Sequence, residues 1–357
     1  MKRILFIVSL SFLVFAASSC NREEAPTNII LLIGDGMSFA HVQAGIISSE
    51  TPLNIEQFRH IGFIHTYSAD NFVTDSGAAA TALATGVKTN NGYIGMDPDG
   101  NPVRSILHIA SDNGLATGVV VSCAITHATP AGFYAHQPSR NMTEEIALDI
   151  LDAGVDVFIG GGRNHFENRQ DGRNLLEDLE QMGYQLAFSM EEVMEAGSGK
   201  LAGLVAGGHP PRYSEGRGNM LPDGTEKAIN ILNRNPGGFF LMVEGAQIDW
   251  GGHDNDVEYI VNEMHDFDRA VGKALEFARN DGNTLVIVTS DHDTGGMALH
   301  GFDSETGEVT AGYTTGGHTG LMQPVFAWGP GADAFMGIYE NTGVFDRMLA
   351  AFGFSRN

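Results

Sequence analysis

Six short segments of nearly unbroken apolar character recur along the chain, at residues 28–33, 118–123, 155–159, 239–243, 284–289 and 324–328. A strand with one face in water alternates polar and apolar side chains, whereas Asn28-Ile29-Ile30-Leu31-Leu32-Ile33 leaves almost no face for solvent. Such runs fit a sheet covered on both sides. Between them lie segments with helical spacing, at 39–49, 105–113, 143–153, 174–182 and 256–280, and in the last Val257, Ile260, Val261, Met264, Phe267, Val271 and Leu275 recur every three or four residues. The alternation predicts an α/β fold, doubly wound, with a mostly parallel central sheet flanked by helices. No linker or internal repeat divides it, so residues 28–357 read as one domain. Residues 191–219, rich in Gly and without periodicity, read as a loop excursion.

The chain carries 44 Asp and Glu against 20 Lys and Arg, a formal charge of −24, which excludes nucleic acid and anionic membrane surfaces as natural partners. At the N-terminus, Lys2-Arg3 precede an apolar run over residues 4–17 that is too short for a comfortable membrane span and has the form of a secretory signal. It ends in Ala17-Ser18-Ser19-Cys20, which resembles a bacterial lipoprotein box; the alternative is an ordinary signal cut at the small residues. The expected organisation is a signal over residues 1–19, a tether over 20–27 anchored by a lipid on Cys20 as its only membrane contact, and then the fold. The protein is therefore expected to be exported, to the periplasm or outer envelope of a bacterium. With Cys20 modified, Cys123 stands alone; it reads as a small buried core residue, without chemistry.

Polar clusters follow the apolar runs. Gly34-Asp35-Gly36 comes after the first, Glu244 with Asp249, Trp250 and His253 after the fourth, and Asp291-His292 after the fifth, while His318 precedes the run at 324–328. Each alone is compatible with turn and capping chemistry. Open α/β sheets, however, bind ligands beyond the carboxyl ends of their strands, so these clusters could converge on one edge. Carboxylates and imidazoles are the donors of a catalytic zinc, and carboxylates with hydroxyls those of magnesium. Val73-Thr74-Asp75-Ser76-Gly77-Ala78 leads into small helix-favouring residues, which puts Ser76 at a helix N-terminus. A serine there is either a cap or a nucleophile close to N–H groups that attract anions.

Taken in order, Gly34-Asp35-Gly36-Met37, Thr74-Asp75-Ser76-Gly77-Ala78-Ala79, Thr126-His127-Ala128-Thr129-Pro130, Arg140, Glu244 with Asp249 and His253, Asp291-His292, and His318-Thr319-Gly320 resemble the bacterial alkaline phosphatases. The resemblance implies two zinc ions, held by Asp249, His253 and His318 and by Asp35, Asp291 and His292, and a magnesium ion that Asp35 shares with Thr129 and Glu244. It implies Ser76 as a nucleophile that becomes phosphorylated, Arg140 as the residue that grips the phosphoryl oxygens, and phosphate monoesters as substrates cleaved at alkaline pH. A homodimer is compatible with it. His127 and Trp250 resemble one branch of the family and are expected, with Asp75, to stand just behind the contacts. Only 25 residues, from Asp293 to Gly317, occupy the place of the crown that covers the site in larger relatives, so the cover should be small and the pocket tolerant.

Two other functions stay open. The same metal core serves esterases of other classes, such as phosphodiesterases, although diesterases typically carry threonine where Ser76 stands and sulfatases use a different motif. An inactive metal-holding lipoprotein would be expected to have lost a ligand or the nucleophile.

Overall fold

The computed structural model describes residues 25–356. The signal, Cys20 and most of the tether lie outside the described residues. In chain order the strands are β1 (Asn28–Gly34), β2 (His60–His65), β3 (Ala116–Ala124), β4 (Val157–Gly161), β5 (Gln185–Ala187), β6 (Leu201–Leu204), β7 (Phe239–Gly245), β8 (Thr284–Thr289), β9 (Asp293–Thr294), β10 (Ala298–Phe302), β11 (Val309–Gly312), β12 (His318–Thr319), β13 (Gln323–Trp328) and β14 (Gly337–Glu340). Ten of them form one sheet in the order β14-β2-β13-β8-β1-β7-β3-β4-β6-β5. All neighbours pair in parallel except β13, which runs against both β2 and β8.

β1 lies between β7 and β8, and every one of its residues is buried. Its side chains divide by parity as a pleated strand requires: Ile29, Leu31 and Ile33 enter the core on one face, Ile30 and Leu32 that on the other. The long helix Val257–Asp281 covers the second face with Ile260, Met264, Phe267, Val271, Ala274 and Ala278. The helices Ser76–Thr85, Ile106–Asp112 and Ala128–Tyr134 cover the first, through residues such as Ala80, Leu83, Leu107 and Ala131. The expected doubly wound sheet is thus present, and the small residues of Ser76–Thr85 let that helix pack against Ala128–Tyr134.

The reading of 191–219 as a loop is corrected. It contains β6, fully buried between β4 and β5, as well as part of the helix Met190–Glu195. Leu201-Ala-Gly-Leu204 is four residues long, too short for a period to show, and Gly203 is there because a Cβ would press on Val193 and Ile159. The sheet also holds β2, β5 and β14, which are not among the six apolar runs, and β14 follows the run at 324–328 to the sheet edge. The segment after His292 forms two small antiparallel pairs, β10 with β11 and β9 with β12, and the β10 side chains are largely exposed. Among the described residues no helix is long and apolar enough to cross a membrane.

Candidate metal centre and active site

Four adjacent parallel strands, β8, β1, β7 and β3, deliver polar residues at their carboxyl ends: Asp291 and His292 after β8, Asp35 after β1, Glu244 next to last in β7, and His127 and Thr129 after β3. Parallel strands end together, so these residues meet at one rim. Gly36 makes the approach possible. Its φ is +68°, and a Cβ there would come within 2.7 Å of Thr294 Oγ1 and 2.9 Å of Asp249 Cα. Its N–H donates to Asp291 Oδ1 at 3.1 Å, which ties the turn after β1 to the turn after β8.

Asp249 and His253 lie four residues apart on the helix Gln247–Asp254 and so share a face. His253 Nε2 is 3.4 Å from Asp249 Oδ2, and His318 Nε2 is 3.7 Å from Asp249 Oδ1 and 3.3 Å from His253 Nε2. The other ring nitrogens fix the tautomers. His253 Nδ1 is 2.7 Å from Gly316 O and His318 Nδ1 2.8 Å from Thr74 O. A carbonyl only accepts, so each Nδ1 carries the proton and each Nε2 is left as a donor atom for a metal.

His292 is set by a third device. Thr294 donates its hydroxyl to Asp249 Oδ1 and its oxygen lies 3.2 Å from His292 Nδ1, which must therefore be the protonated nitrogen. His292 Nε2 then faces Asp35 Oδ1 at 3.3 Å, Asp291 Oδ2 at 3.2 Å and Ser76 Oγ at 3.1 Å. Ligand atoms of Asp35, Asp249 and His292 all lie within 4.8 Å of one another, as do those of Asp249, His253 and His318. Asp249 thus belongs to both groups, and Asp291 joins the second through His292. A third group of the same compactness is Cys123, His127 and Glu244. Thr129 reaches toward the second group: its hydroxyl donates to Asp35 Oδ2 at 3.5 Å.

The electrostatics are those of a site built for cations. Asp35 Oδ1, Asp291 Oδ2 and Glu244 Oε1 are buried with no hydrogen-bond partner. Burial, and then their mutual repulsion, drives Asp35 well above the usual carboxylate range, while burial pushes Asp291 up to about 6 and Glu244 up to about 8. Burial also acts upward on Asp249, but the imidazoles of His253, His292 and His318 outweigh it and hold that carboxyl below its ordinary value. His253, hydrogen-bonded to Asp249, is raised to about 9. Burial lowers His292 far below the ordinary imidazole. Protons stand where the charge balance calls for divalent metal, and the donor set fits it.

The structure resolves the double reading of Ser76. Asp75 is the cap of the helix Ser76–Thr85, accepting from Ala78 N at 2.9 Å, so the Ser76 hydroxyl is released from that duty. The other Asp75 oxygen receives Arg140 Nη1 at 3.0 Å, and Arg140 Nη2 lies 3.5 Å from His127 Nε2. One aspartate therefore orders both the serine's helix and the guanidinium. His127 and Trp250 meet edge to face, with ring centroids 6.2 Å apart, and both touch His209, whose Nδ1 accepts from Ala124 N at 3.0 Å. His209 and Thr294 were not singled out from sequence. His209 stands outside the polar clusters, and Thr294, two residues beyond His292, is not of a type that marks a zinc ligand. All thirteen expected site residues gather around this rim.

A two-sided α/β fold with carboxylates, imidazoles and a serine at a helix N-terminus defines a metal-dependent hydrolase. The alkaline phosphatase family pattern matches residues 26–311, and the chain belongs to that family. It is 33% identical to "Alkaline phosphatase 3" of Bacillus subtilis (strain 168), over 93% of this chain and 90% of that one. The structure of alkaline phosphatase from the Antarctic bacterium TAB5 is similar with a TM-score of 0.88 and 41% identity, over 93% of this chain and 99% of the other. A variant of that enzyme with a histidine replaced by aspartate, described with Mg bound in the M3 site, is similar to the same degree. The chain is a metal-binding phosphomonoesterase.

Proposed function

We propose that residues 28–357 form a single catalytic domain that cleaves phosphate monoesters at alkaline pH through a phosphoserine on Ser76. In this reading Asp249, His253 and His318 hold one zinc, Asp35, Asp291 and His292 a second, and Asp35, Thr129 and Glu244 a magnesium ion. The observation that carries it is Ser76 Oγ, uncapped at its helix N-terminus and 3.1 Å from His292 Nε2, beside the unpaired oxygens of Asp35 and Asp291. The metals would lower the serine's pKa and offset charge on the entering and leaving oxygens.

The protein supplies position. Arg140, oriented by Asp75, presents a planar fork to two phosphoryl oxygens and stays charged at alkaline pH. The N–H groups at the start of Ser76–Thr85 face the same anion. Ser76 displaces the alcohol, which leaves with a proton; water then cleaves the phosphoserine, releasing inorganic phosphate and restoring the hydroxyl. The shortness of the segment from Asp293 to Gly317 supports a broad range of alcohols. The signal over residues 1–19, lipid on Cys20 and export to a bacterial periplasm or outer envelope rest on the leader's charge and apolar run, and the homodimer on the family resemblance.

The test is a paired rate with a nitrophenyl phosphate monoester and the corresponding diester at alkaline pH. The expected result is a large preference for the monoester, abolished by chelation. Faster diester cleavage would keep the metal core and overturn the substrate class; metal binding without turnover of either would favour a binding protein.

A further inference from the structure

The group Cys123, His127 and Glu244 is set apart from the oxygen donors expected at the third metal position. Cys123 lies near the end of β3, fully buried, with Sγ 3.2 Å from Glu244 Oε2 and 3.3 Å from Ala124 O. Glu244 is fully buried and keeps Oε1 without a partner, and His127 keeps Nδ1 without one; Arg140 Nη2, 3.5 Å from His127 Nε2, must turn aside for the ring to offer a lone pair at Nδ1. A sulfur, a nitrogen and a carboxylate oxygen, all within 4.8 Å of one another, therefore converge beside two unsatisfied polar atoms. Donors placed tetrahedrally around zinc at its ordinary bond lengths sit about 3.5 Å apart, so the sulfur–oxygen separation already suits a shared ion.

We propose that Cys123 is a metal ligand, and that with His127 and Glu244 it makes the third position a site for a thiophilic divalent cation such as zinc or cobalt. The inference rests on a third metal position existing here. Magnesium takes oxygen and leaves a thiol untouched, whereas zinc and cobalt bind sulfur and imidazole readily. Glu244 is common to both donor sets: with Asp35 and Thr129 it offers oxygen, with Cys123 and His127 it offers a softer cage. Binding in the softer cage breaks the S–H bond, forms a metal–sulfur bond and releases the proton to water, with no change of oxidation state.

The experiment uses the full chain carrying Cys20→Ser, in which Cys123 is the only thiol. Saturation with cobalt(II) is expected to bind three ions per chain and to produce a strong near-ultraviolet thiolate-to-cobalt band. Adding Cys123→Ser should abolish that band and shift the zinc-to-magnesium ratio at the third position toward magnesium by at least about tenfold, measured by metal analysis after competition. Three bound cobalt ions with no thiolate band would overturn the proposal and leave the third position standing. Saturation at two ions would remove the position and the proposal together. Should Cys123→Ser fail to fold, the spectrum of the Cys20→Ser protein decides by itself, because no other sulfur in it can form a thiolate.

Discussion

At the residue scale, function depends on how few duties each side chain is given. Ser76 is free because Asp75 caps the helix, and Arg140 is aimed because the same Asp75 holds it. Ser76→Ala should lower kcat by at least ~10³ with the fold and metal content unchanged, as loss of a nucleophile does elsewhere. Circular dichroism and metal analysis beside the kinetics check this. Arg140→Ala removes a charged two-point contact worth about 1.5–3 kcal/mol, so kcat/KM should fall ~10- to 150-fold. Arg140→Lys should recover part of that near pH 8 and lose it again as pH approaches ~10.4, where a lysine deprotonates. A flat pH profile for the lysine variant relative to wild type would sink the assignment of Arg140 to phosphoryl binding.

At the scale of elements, the decisive pieces are short. The two-residue strand β9 brings Thr294 against both Asp249 and His292, so one hydroxyl orients a residue in each metal group. Thr294→Val keeps the shape and deletes the hydroxyl. It should weaken zinc binding by ~10- to 100-fold, read in a competition with a chelating dye. The turn after β1 carries the other constraint. Gly36→Ala must hold a left-handed backbone, at about 1–2 kcal/mol, and also push Thr294 and Asp249 aside. A lowered midpoint of chemical unfolding together with lost metal is expected, and an unchanged midpoint would contradict the close packing of this turn.

For the whole molecule, the site makes stability depend on metal and pH in opposite senses. Carboxyls with raised pKa favour the fold while protonated, and lose that contribution as pH rises from the ordinary carboxylate range through their folded values, about 6 for Asp291 and about 8 for Glu244. His253 acts in the same direction, its contribution complete below ~6.5 and lost as pH rises through about 9. Each pH unit over which Glu244 must be held ionised costs ~1.4 kcal/mol as an upper limit. The buried imidazoles of His41, His127 and His292, all lowered by burial, act oppositely below ~6.5, so thermal melts of the chelated protein should show Tm falling from pH 7 to 9, whereas the metal-loaded protein should hold or gain Tm over the same interval, since metal takes the protons' place. A chelated Tm that rises between pH 7 and 9 would show that the carboxyls are not crowded as described. The sequence by itself indicated the layered α/β fold and the residues of the site, because short apolar runs alternating with helical periods fit strands buried on both faces and because the polar clusters stand at their ends. It left β2, β5, β6 and β14 unread: β5, β6 and β14 have three or four residues, too few to display a period, and β2, His60-Ile-Gly-Phe-Ile-His65, mixes histidines and a glycine into a half-exposed strand. Only the tertiary structure decided that Asp75 and not Ser76 is the cap, that Thr294 sets a tautomer, and that Cys123 lies against Glu244 across 121 residues of chain. Those outcomes depend on distances of a few ångström between segments remote in sequence, and apolar periodicity specifies which face a residue occupies without specifying what stands opposite it.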